Sequence, residues 1–489
     1  MVVALSEGFP GKVSEMNTPT MAAGCLEHLE SLKKFFVTPP RKSRFASFYR
    51  KLLVHRYNLL ISPDASVIEI GCGMGELLNG LHAMRKIGID LSPEQIARGK
   101  ERFPHLDLRT GSGETGVIPE GPFDVIILSD VLNYAADVEV LLRRLHLSSH
   151  QGTRLLINVY NTLWRPLLGS ARRLGLAAEQ PVSNWLSRQD VINLCWLSDW
   201  EVFKSFGAIL IPLPLGWLST FVNRCIAPFF GWLCLSTFLI ARRSGQPRRE
   251  PDIVSVVIPA RNEAGSIAQA IERVPRLARE TELIFIEGHS KDNTWNAITA
   301  LPDTFAHGRI VKLRQSGKGK GNAVIEGFRA ATGDILMILD ADLTMPPEDL
   351  PKFIEVLASG KGEFANGVRL VYPMDERAMK FANLCANKAF SMVFSWLLGQ
   401  PVKDTLCGTK ALWREDYERL DHGRAYFGDF DPFGDFDLLF GADKQNLKIV
   451  DIPIRYKERF YGDTNIQRWK HGVILLRMVL FAARRLKFV

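Results

Sequence analysis

Two stretches of this 489-residue chain carry residue types at spacings that could do chemistry. One is Asp340-Ala341-Asp342, which follows the apolar run Ile335-Leu336-Met337-Ile338-Leu339. A buried strand of that kind delivers two carboxylates to its carboxyl end, where open α/β sheets bind ligands. A carboxylate together with diphosphate oxygens holds Mg2+ or Mn2+. Such a metal neutralises charge on a departing nucleoside diphosphate. The other stretch is Gly71-Cys72-Gly73-Met74-Gly75, entered from Ser66–Ile70, with Asp90 at the end of the next apolar segment. Glycine permits positive φ and close approach of a ligand to the backbone, and the spaced acid can accept bonds from both ribose hydroxyls. The dinucleotide fingerprint would need glycine at position 76, where the chain has Glu76. A carboxylate in that first helical turn would repel a pyrophosphate, so a nucleoside without phosphates is the expected ligand.

These residues need strands to hold them. In the amino half, Ser66–Ile70, Lys86–Ile89, Leu106–Leu108, Asp124–Leu128 and Arg154–Val159 read as strands, followed by Glu201–Ile211 and Cys234–Ala241. In the carboxyl half, Ser255–Ile258, Glu282–Ile286, Arg309–Lys312 and Ile335–Leu339 read as buried strands. Each half alternates apolar strands with helical patterns, the sign of parallel α/β architecture. Between them, Arg242–Asp252 is rich in proline, glycine and charge, and predicts a linker. No internal repeat relates the halves.

Composition bounds the class. Apolar residues are 46% and charged residues 23%, which excludes disordered and collagen-like chains. Seven cysteines without a C-x-x-C pair argue against a zinc ribbon or a disulfide framework, and fit a reducing compartment. The formal charge of +8 suits anionic lipid, phosphate-bearing substrates or nucleic acid. Aromatics interleaved on a basic groove are missing, which argues against nucleic acid. The amino-terminal segment lacks a basic start and an apolar core, so it does not read as a signal peptide, and a cytoplasmic amino half is expected.

The amino half resembles the class I S-adenosylmethionine-dependent methyltransferases over about 25–245. VIEIGCGMG is similar to their first motif, GIDLSPEQI to their second, and Phe123–Tyr134 to the fourth strand and its active-site loop. The resemblance implies that Glu69, Gly71, Gly73 and Gly75 border the methionine part of the cofactor and that Asp90 holds the ribose. The family's acid at the adenine amine has no plain counterpart; Ser112 or Glu114 would substitute. Asp130, as a catalytic residue, and Tyr134 are candidates on the methyl-acceptor side.

The carboxyl half resembles family 2 glycosyltransferases of GT-A fold over about 252–470, in particular the polyprenyl-phosphate (dolichyl-phosphate-type) sugar synthases. VVIPARNE, IEGHSKDNT, GKGKGNA and LDADLTMPPEDL carry the likeness, with Glu287 where Asp is more common. It implies a UDP- or GDP-linked sugar donor held by Pro259, Arg261, Glu263, Glu287, Lys318 and Asp340, with Lys318 or Lys320 near phosphate. Asp342 and Asp340 would take Mg2+ or Mn2+. Asp404–Lys410 is similar to the acceptor loop, and Arg369, Lys380 and Arg459 would face the acceptor phosphate, with Arg377 open as a replacement for Lys380. Such enzymes invert the anomeric centre in one displacement. A hydroxyl acceptor would need Asp437 or Asp435 as base; a phosphate acceptor is already ionised and needs cations to position it.

The expected fold class is therefore α/β with two domains: a Rossmann-like class I methyltransferase sheet, then a GT-A glycosyltransferase sheet, then a basic amphipathic C-terminal helix. The expected limits are 1–24 for an extension, 25–241, a linker 242–252, 253–468, and 469–489 for the helix. Residues 205–241 contain one charge, Arg224, and are interrupted by Pro212, Pro214 and Pro228. They read as strand, apolar insertion, strand, with Leu213–Trp232 on a membrane surface or on the other domain, in preference to two spanning helices. Lys470, Arg477 and Arg484 fall near one stripe of the last helix, which suits a helix lying on anionic lipid and equally a core-packed helix with a solvated basic edge; a lipid-phosphate acceptor favours the first. The expected protein is bifunctional: it glycosylates a polyprenyl phosphate or lipid-linked acceptor and methylates a second acceptor, peripherally at the inner face of the cell membrane. The alternative is a soluble glycosyltransferase acting on a saccharide hydroxyl, with a non-catalytic methyltransferase-like scaffold.

Overall fold

The computed structural model describes residues 23–38, 44–119, 121–173, 180–181, 183–372, 381–423, 435–457 and 468–489. Two sheets organise them. The first holds β1 (Ser66–Ile70), β2 (Arg85–Asp90), β3 (Asp107–Thr110), β4 (Phe123–Ser129), β5 (Ser149–Tyr160), β6 (Trp200–Ala208) and β7 (Ser236–Arg243). Their order is β3-β2-β1-β4-β5-β7-β6, with β7 antiparallel to both neighbours. The chain runs outward from β1 through β3, then returns to β4 on the other side of β1. The crevice between β1 and β4, at their carboxyl ends, is the topological switch point where ligands bind in open sheets.

The second sheet holds β8 (Ile253–Ala260), β9 (Glu280–Glu287), β10 (Thr304–Phe305), β11 (Gly308–Arg314), β12 (Ile335–Ile338), β13 (Phe364–Val368), β14 (Lys410–Trp413) and β15 (Ile449–Pro453). The order is β10-β11-β9-β8-β12-β14-β13-β15, parallel from β11 to β12 and antiparallel around β14. Its switch point lies between β8 and β12. The central strands β1, β8, β9 and β12 are covered on both faces, which is why they read as continuous apolar runs. Each sheet carries a core cluster on either side.

The expected strands are all present. The sixth ends at Ala208 rather than Ile211, because Ile209 takes φ +66° and the Asn223 carboxamide captures the Leu210 and Ile211 N–H groups at 2.8 Å each. The stretch 209–235 is an insertion of short helical turns between two paired strands. Among the described residues, no helix is long and apolar enough to cross a membrane.

Two expectations change. The proposed linker is not a free tether. Arg242 and Arg243 complete β7, and the buried Arg242 guanidinium bonds Glu201 and the carbonyls of Gly360 and Lys361 in the second domain. Arg248 pairs with buried Asp416 at 2.8 Å. The C-terminal helix, Arg468–Leu486, packs inward: Met478, Ala482 and Ala483 belong to the second domain's core. Its outer row keeps Leu476, Arg477, Leu480 and Arg484 exposed, and the side chain of Lys470 lies outside the described residues.

Buried ion pairs join the domains. Arg154 on β5 grips Glu363 at 2.9 and 3.0 Å, and its Nε donates to the Asn446 carbonyl at 2.7 Å. Lys204 on β6 pairs with Asp443 at 2.6 Å, and Lys448 with Glu201. Trp396 and Phe488 close the far side against Phe229 of the insertion.

Candidate active sites

In the first domain, β1 ends in a loop whose three glycines all take left-handed φ: +75°, +54° and +78° at Gly71, Gly73 and Gly75. A side chain on Gly71 would collide with Val131, and one on Gly75 would press on Leu108 and Leu106. One on Gly73 would meet nothing within 4 Å, so Gly73 faces the crevice. Asp90, at the end of β2, accepts from the Gly73 N–H at 2.7 Å and the Ser92 N–H at 2.9 Å. Each oxygen keeps a further lone pair for a ligand hydroxyl. Glu69 lies at the carboxyl end of β1 and is 2% exposed. Its Oε2 has no hydrogen-bond partner. Burial pushes its carboxyl up to about 8, against the pull of Arg50 and with a push from Asp90. A buried acid of this kind is completed by a cationic ligand group. The chemistry of the crevice thus fits S-adenosylmethionine, whose amine is cationic and whose ribose presents two hydroxyls.

The loop after β4 packs Val131 against Gly71 and carries Asp130, held at φ +58°. Asp130 accepts from the Tyr49 hydroxyl at 3.1 Å and from Asn158 Nδ2 at 2.6 Å. Burial raises its carboxyl to about 7 despite those bonds and the charge of Arg50. Tyr134, Tyr49 and Tyr160 stand around it, their phenols pushed well up by burial and by Asp130. They therefore remain protonated donors. Tyr49, Arg50 and Tyr160 were not singled out in the sequence. Tyr49 and Arg50 come from the helix Arg44–Leu60, which precedes the first strand and carries no motif.

Three sequence expectations are refined here. Glu76 is paired with Arg50 at 2.5 Å and with Arg102, so its charge is matched and does not repel a phosphate. Ser112 Oγ accepts from the Glu114 and Thr115 N–H groups at 3.1 and 3.3 Å, and Glu114 accepts from the Asp137 N–H at 2.7 Å. Both side chains shape the loop after β3, which gives them a structural role beside any adenine.

In the second domain, strand register aligns Ala260 with Glu287 and Glu287 with Arg314. Pro259, Arg261, Glu263, Glu287, Asp340 and Asp342 thereby reach the carboxyl edge together. Asn262, at φ +58°, folds this edge by accepting from the Lys291 N–H at 2.7 Å. Buried Glu287 accepts from the Ser290 N–H. The glycine-rich loop 317–321 is fastened by His289 to the Gly317 carbonyl at 2.8 Å and by Gln315 to Gly319 at 2.7 Å. This loop brings Lys320, rather than the exposed Lys318, to the Asp340 carboxylate at 2.6 Å.

Asp340 is the centre of the site. Burial would raise its carboxyl, yet Lys320, Arg369 and Lys410 together hold it below the usual range. Gly408 lies directly over the Lys320–Asp340 pair, where any Cβ would collide with both. Asp342 is fixed by Thr344, whose N–H and Oγ1 approach Oδ1 at 3.1 and 2.8 Å. Two carboxylates on one turn, beside a cation that a metal can replace as counter-charge, form a donor set that Mg2+ or Mn2+ accepts. Among the described residues no group of three or more His, Cys, Asp or Glu surrounds one metal position. Diphosphate oxygens commonly fill the other positions around Mg2+.

Arg369 forms a two-pronged bond to fully buried Asp404 at 2.7 and 2.9 Å, and its guanidinium lies over Tyr456. Asp404 orients this arginine, and Arg369 keeps donors for a further anion. Lys410, fully buried with Nζ on the Cys407 carbonyl at 2.6 Å, escaped the sequence reading because it sits inside a strand. Asp437 is buried in the first turn of the helix Asp435–Lys444. Lys380, Arg377 and Arg459, and the side chain of Asp435, lie outside the described residues.

Comparison with known proteins gives the same division. Residues 43–205 match the family model "Methyltransferase domain", and 255–420 match "Glycosyl transferase family 2". A dolichol-phosphate mannosyltransferase of Pyrococcus furiosus is 28% identical over 220 residues, covering 44% of this chain and 59% of the relative. An undecaprenyl-phosphate 4-deoxy-4-formamido-L-arabinose transferase of Serratia proteamaculans is 26% identical over 223 residues, covering 44% and 64%. The chain thus spans about six-tenths of the length of these curated relatives. A solved glucosyl-3-phosphoglycerate synthase of Mycobacterium tuberculosis, bound to Mn2+ and UDP, aligns with TM-score 0.35 and 21% identity over 48% of this chain and 80% of its own. The chain thus joins a segment that matches a methyltransferase domain model to one that matches a family 2 glycosyl transferase model.

Proposed function

We propose that the second domain transfers a sugar, with inversion, from a UDP- or GDP-linked donor to a polyprenyl phosphate or other lipid-linked acceptor. The observation that carries this reading is the cationic surround of Asp340: Lys320 pairs with it at 2.6 Å beneath Gly408, and the charges of Arg369 and buried Lys410 act on it. A surround of this sign suits anionic substrates, and a phosphate acceptor needs positioning rather than deprotonation. Asp342 and Asp340 would hold Mg2+ or Mn2+, which supplies charge neutralisation to the leaving diphosphate. Arg369 would contact the acceptor phosphate, with Lys380 and Arg459 as its assigned partners. The chain would act peripherally at the inner face of the cell membrane. Domain limits near 25–241 and 253–468 accompany this reading.

The first domain would methylate an acceptor that enters beside Asp130. S-adenosylmethionine supplies an electrophilic methyl group. Glu69 would pair with its amine, Asp90 with its ribose, and Gly73 would give it backbone access. Asp130, poised near 7, would take a proton from an acceptor hydroxyl or amine, and the neighbouring phenols would orient that acceptor.

Purified protein with Mg2+ or Mn2+, polyprenyl phosphate and a panel of nucleotide-sugars tests the transfer. A metal-dependent glycosylated lipid, lost in Asp342→Ala, is expected. Donor turnover without lipid product would reject it. Buried Asp437, at the start of its helix, favours a second reading: a saccharide hydroxyl deprotonated by this acid. Asp437→Asn would then abolish transfer to a saccharide. A folded protein that does not bind S-adenosylmethionine in calorimetry would make the first domain a scaffold.

A further inference from the structure

The first domain carries an apolar surface that neither active site uses. In the β6–β7 insertion, Leu213, Trp217, Phe221, Phe229, Phe230 and Trp232 are all exposed, Trp217 by 78%. A second segment joins them. Trp164 Nε1 donates to the Leu233 carbonyl at 2.8 Å and Asn161 Nδ2 to the Trp232 carbonyl at 2.7 Å. These bonds fasten the start of the helix Arg165–Arg173 to the insertion. That helix buries no residue and exposes Leu167, while Leu163 is exposed just before it. Isolated exposed apolar side chains need no explanation, but two adjoining segments of them mark an interaction surface.

Charge selects the partner. The two segments, 161–173 and 205–241, contain four arginines and no acid. Arg165 lies over the Trp185 ring, Arg172 bonds Gln180, and Arg224 bonds the Phe488 carbonyl at 2.6 Å. Among the described residues no carboxylate pairs with any of the four. Tryptophan and arginine at the rim of an apolar face, free of acids, match the interface of an anionic bilayer, where indole sits at headgroup level and arginine meets lipid phosphate.

We propose that this surface docks the chain on an anionic lipid bilayer through the methyltransferase domain. The surface adjoins the Asp130 cluster and a cavity between the domains. Trp185 stands 6.4 Å from Tyr160 of the Asp130 cluster. Trp232 also lines a cavity of about 750 Å³ walled by Tyr160 from one domain and by Trp396 and Lys487 from the other. Docking here presents that shared opening near lipid, so a lipid-linked substrate reaches it without leaving the membrane. This last consequence rests on the lipid-acceptor reading; the docking itself does not.

The test is co-sedimentation of the full chain with vesicles of phosphatidylcholine, alone or mixed with phosphatidylglycerol. Wild-type protein should bind the mixed vesicles and only weakly the zwitterionic ones. Trp217→Ser with Phe221→Ser, neither of which lines the cavity, should lower binding about tenfold or more. Arg172→Glu with Arg173→Glu should remove the preference for phosphatidylglycerol. Unaltered thermal unfolding and transfer to detergent-dispersed acceptor would show both variants folded, and separate this question from acceptor identity. Equal vesicle binding by wild type and the aromatic variant overturns the proposal. So does a concentration-dependent dimer in sedimentation velocity that the aromatic change abolishes while vesicle binding is unaffected, since the occupant would then be a second copy of the chain.

Discussion

Paired with the amine of S-adenosylmethionine as proposed, Glu69 would make binding depend on pH in a calculable way. In the free protein its carboxyl is raised to about 8, chiefly by burial, and Oε2 has no partner. A cationic amine favours the ionised form, so at neutral pH the carboxyl must lose its proton on binding. With a value of 8, the ionised fraction is about 1% at pH 6 and about 9% at pH 7, a roughly ninefold gain in affinity, or about 1.3 kcal/mol. The ligand's own α-amino group titrates near 8, so the gain flattens there and reverses above it. Isothermal calorimetry of S-adenosylhomocysteine, which keeps the amine, reads both quantities. Run at pH 7 in two buffers of different ionisation heat, it should show about 0.8 proton released per ligand bound, about 0.9 from Glu69 less about 0.1 taken up by the ligand's amine. Glu69→Gln should abolish the release and flatten the profile between pH 6 and 8. A wild-type affinity independent of pH over that range, or an unchanged profile in Glu69→Gln, refutes the pairing of this acid with the amine.

Other perturbations follow from the same geometry. Gly408→Ala sets a methyl group against Lys320 and Asp340, and should cut glycosyl transfer at least tenfold while leaving methyl-donor binding untouched, as donor turnover assays will report. Glu363→Gln leaves Arg154 and Arg242 under-paired in a buried interface. It should cost about 3–5 kcal/mol, a fall of about 10 °C in the melting of that region by calorimetry. The folded value of Glu363 is depressed by Arg154 and Arg242 against burial. Its contribution is therefore present above the unfolded value of about 4.3 and lost as pH falls through the folded one. Wild type should thus lose stability on acidification in a range where Glu363→Gln is flat. Tyr49→Phe removes a donor to Asp130. It should raise the acidic limb of the pH–rate profile for methyl transfer, because the ionised carboxylate loses a stabilising bond; an unmoved limb would mean that Asp130 does not titrate in the reaction.

Much of this architecture was legible because buried parallel strands must be continuous apolar runs, and the polar residues that follow them must stand at the sheet's carboxyl edge. Gly71–Gly75 after β1, Asp90 at the end of β2 and Asp340–Asp342 after β12 obey that rule. What escaped the sequence arrives from elsewhere in the chain. Tyr49 and Arg50 reach the first crevice from a helix whose spacing shows only amphipathicity. Lys410 is a cation within a short strand, where pattern reading expects an apolar residue. Lys318 and Lys320 look alike in sequence; the left-handed turn at Gly319 starts the helix so that the second reaches Asp340.

The interface was the least visible feature, and it changes how the domains relate. A segment rich in proline, glycine and arginine reads as a tether when its charges are assumed solvated. Here Arg242 is buried between domains, Arg154 and Lys204 project from the first sheet onto Glu363 and Asp443 of the second, and Lys448 returns to Glu201. Sequence cannot announce such pairs, because each partner is an ordinary charge more than a hundred positions from the other. A buried ion pair adds little net stability over apolar packing, but a misplaced partner is costly, so these pairs select one relative placement of the sheets. The two candidate sites are consequently held at a fixed separation, and the insertion and the helix Phe381–Leu398 share one wall of the cavity between the domains. The Lys204–Asp443 pair and Lys487 stand in the lining of that cavity, so the contacts that fix the domains also shape it.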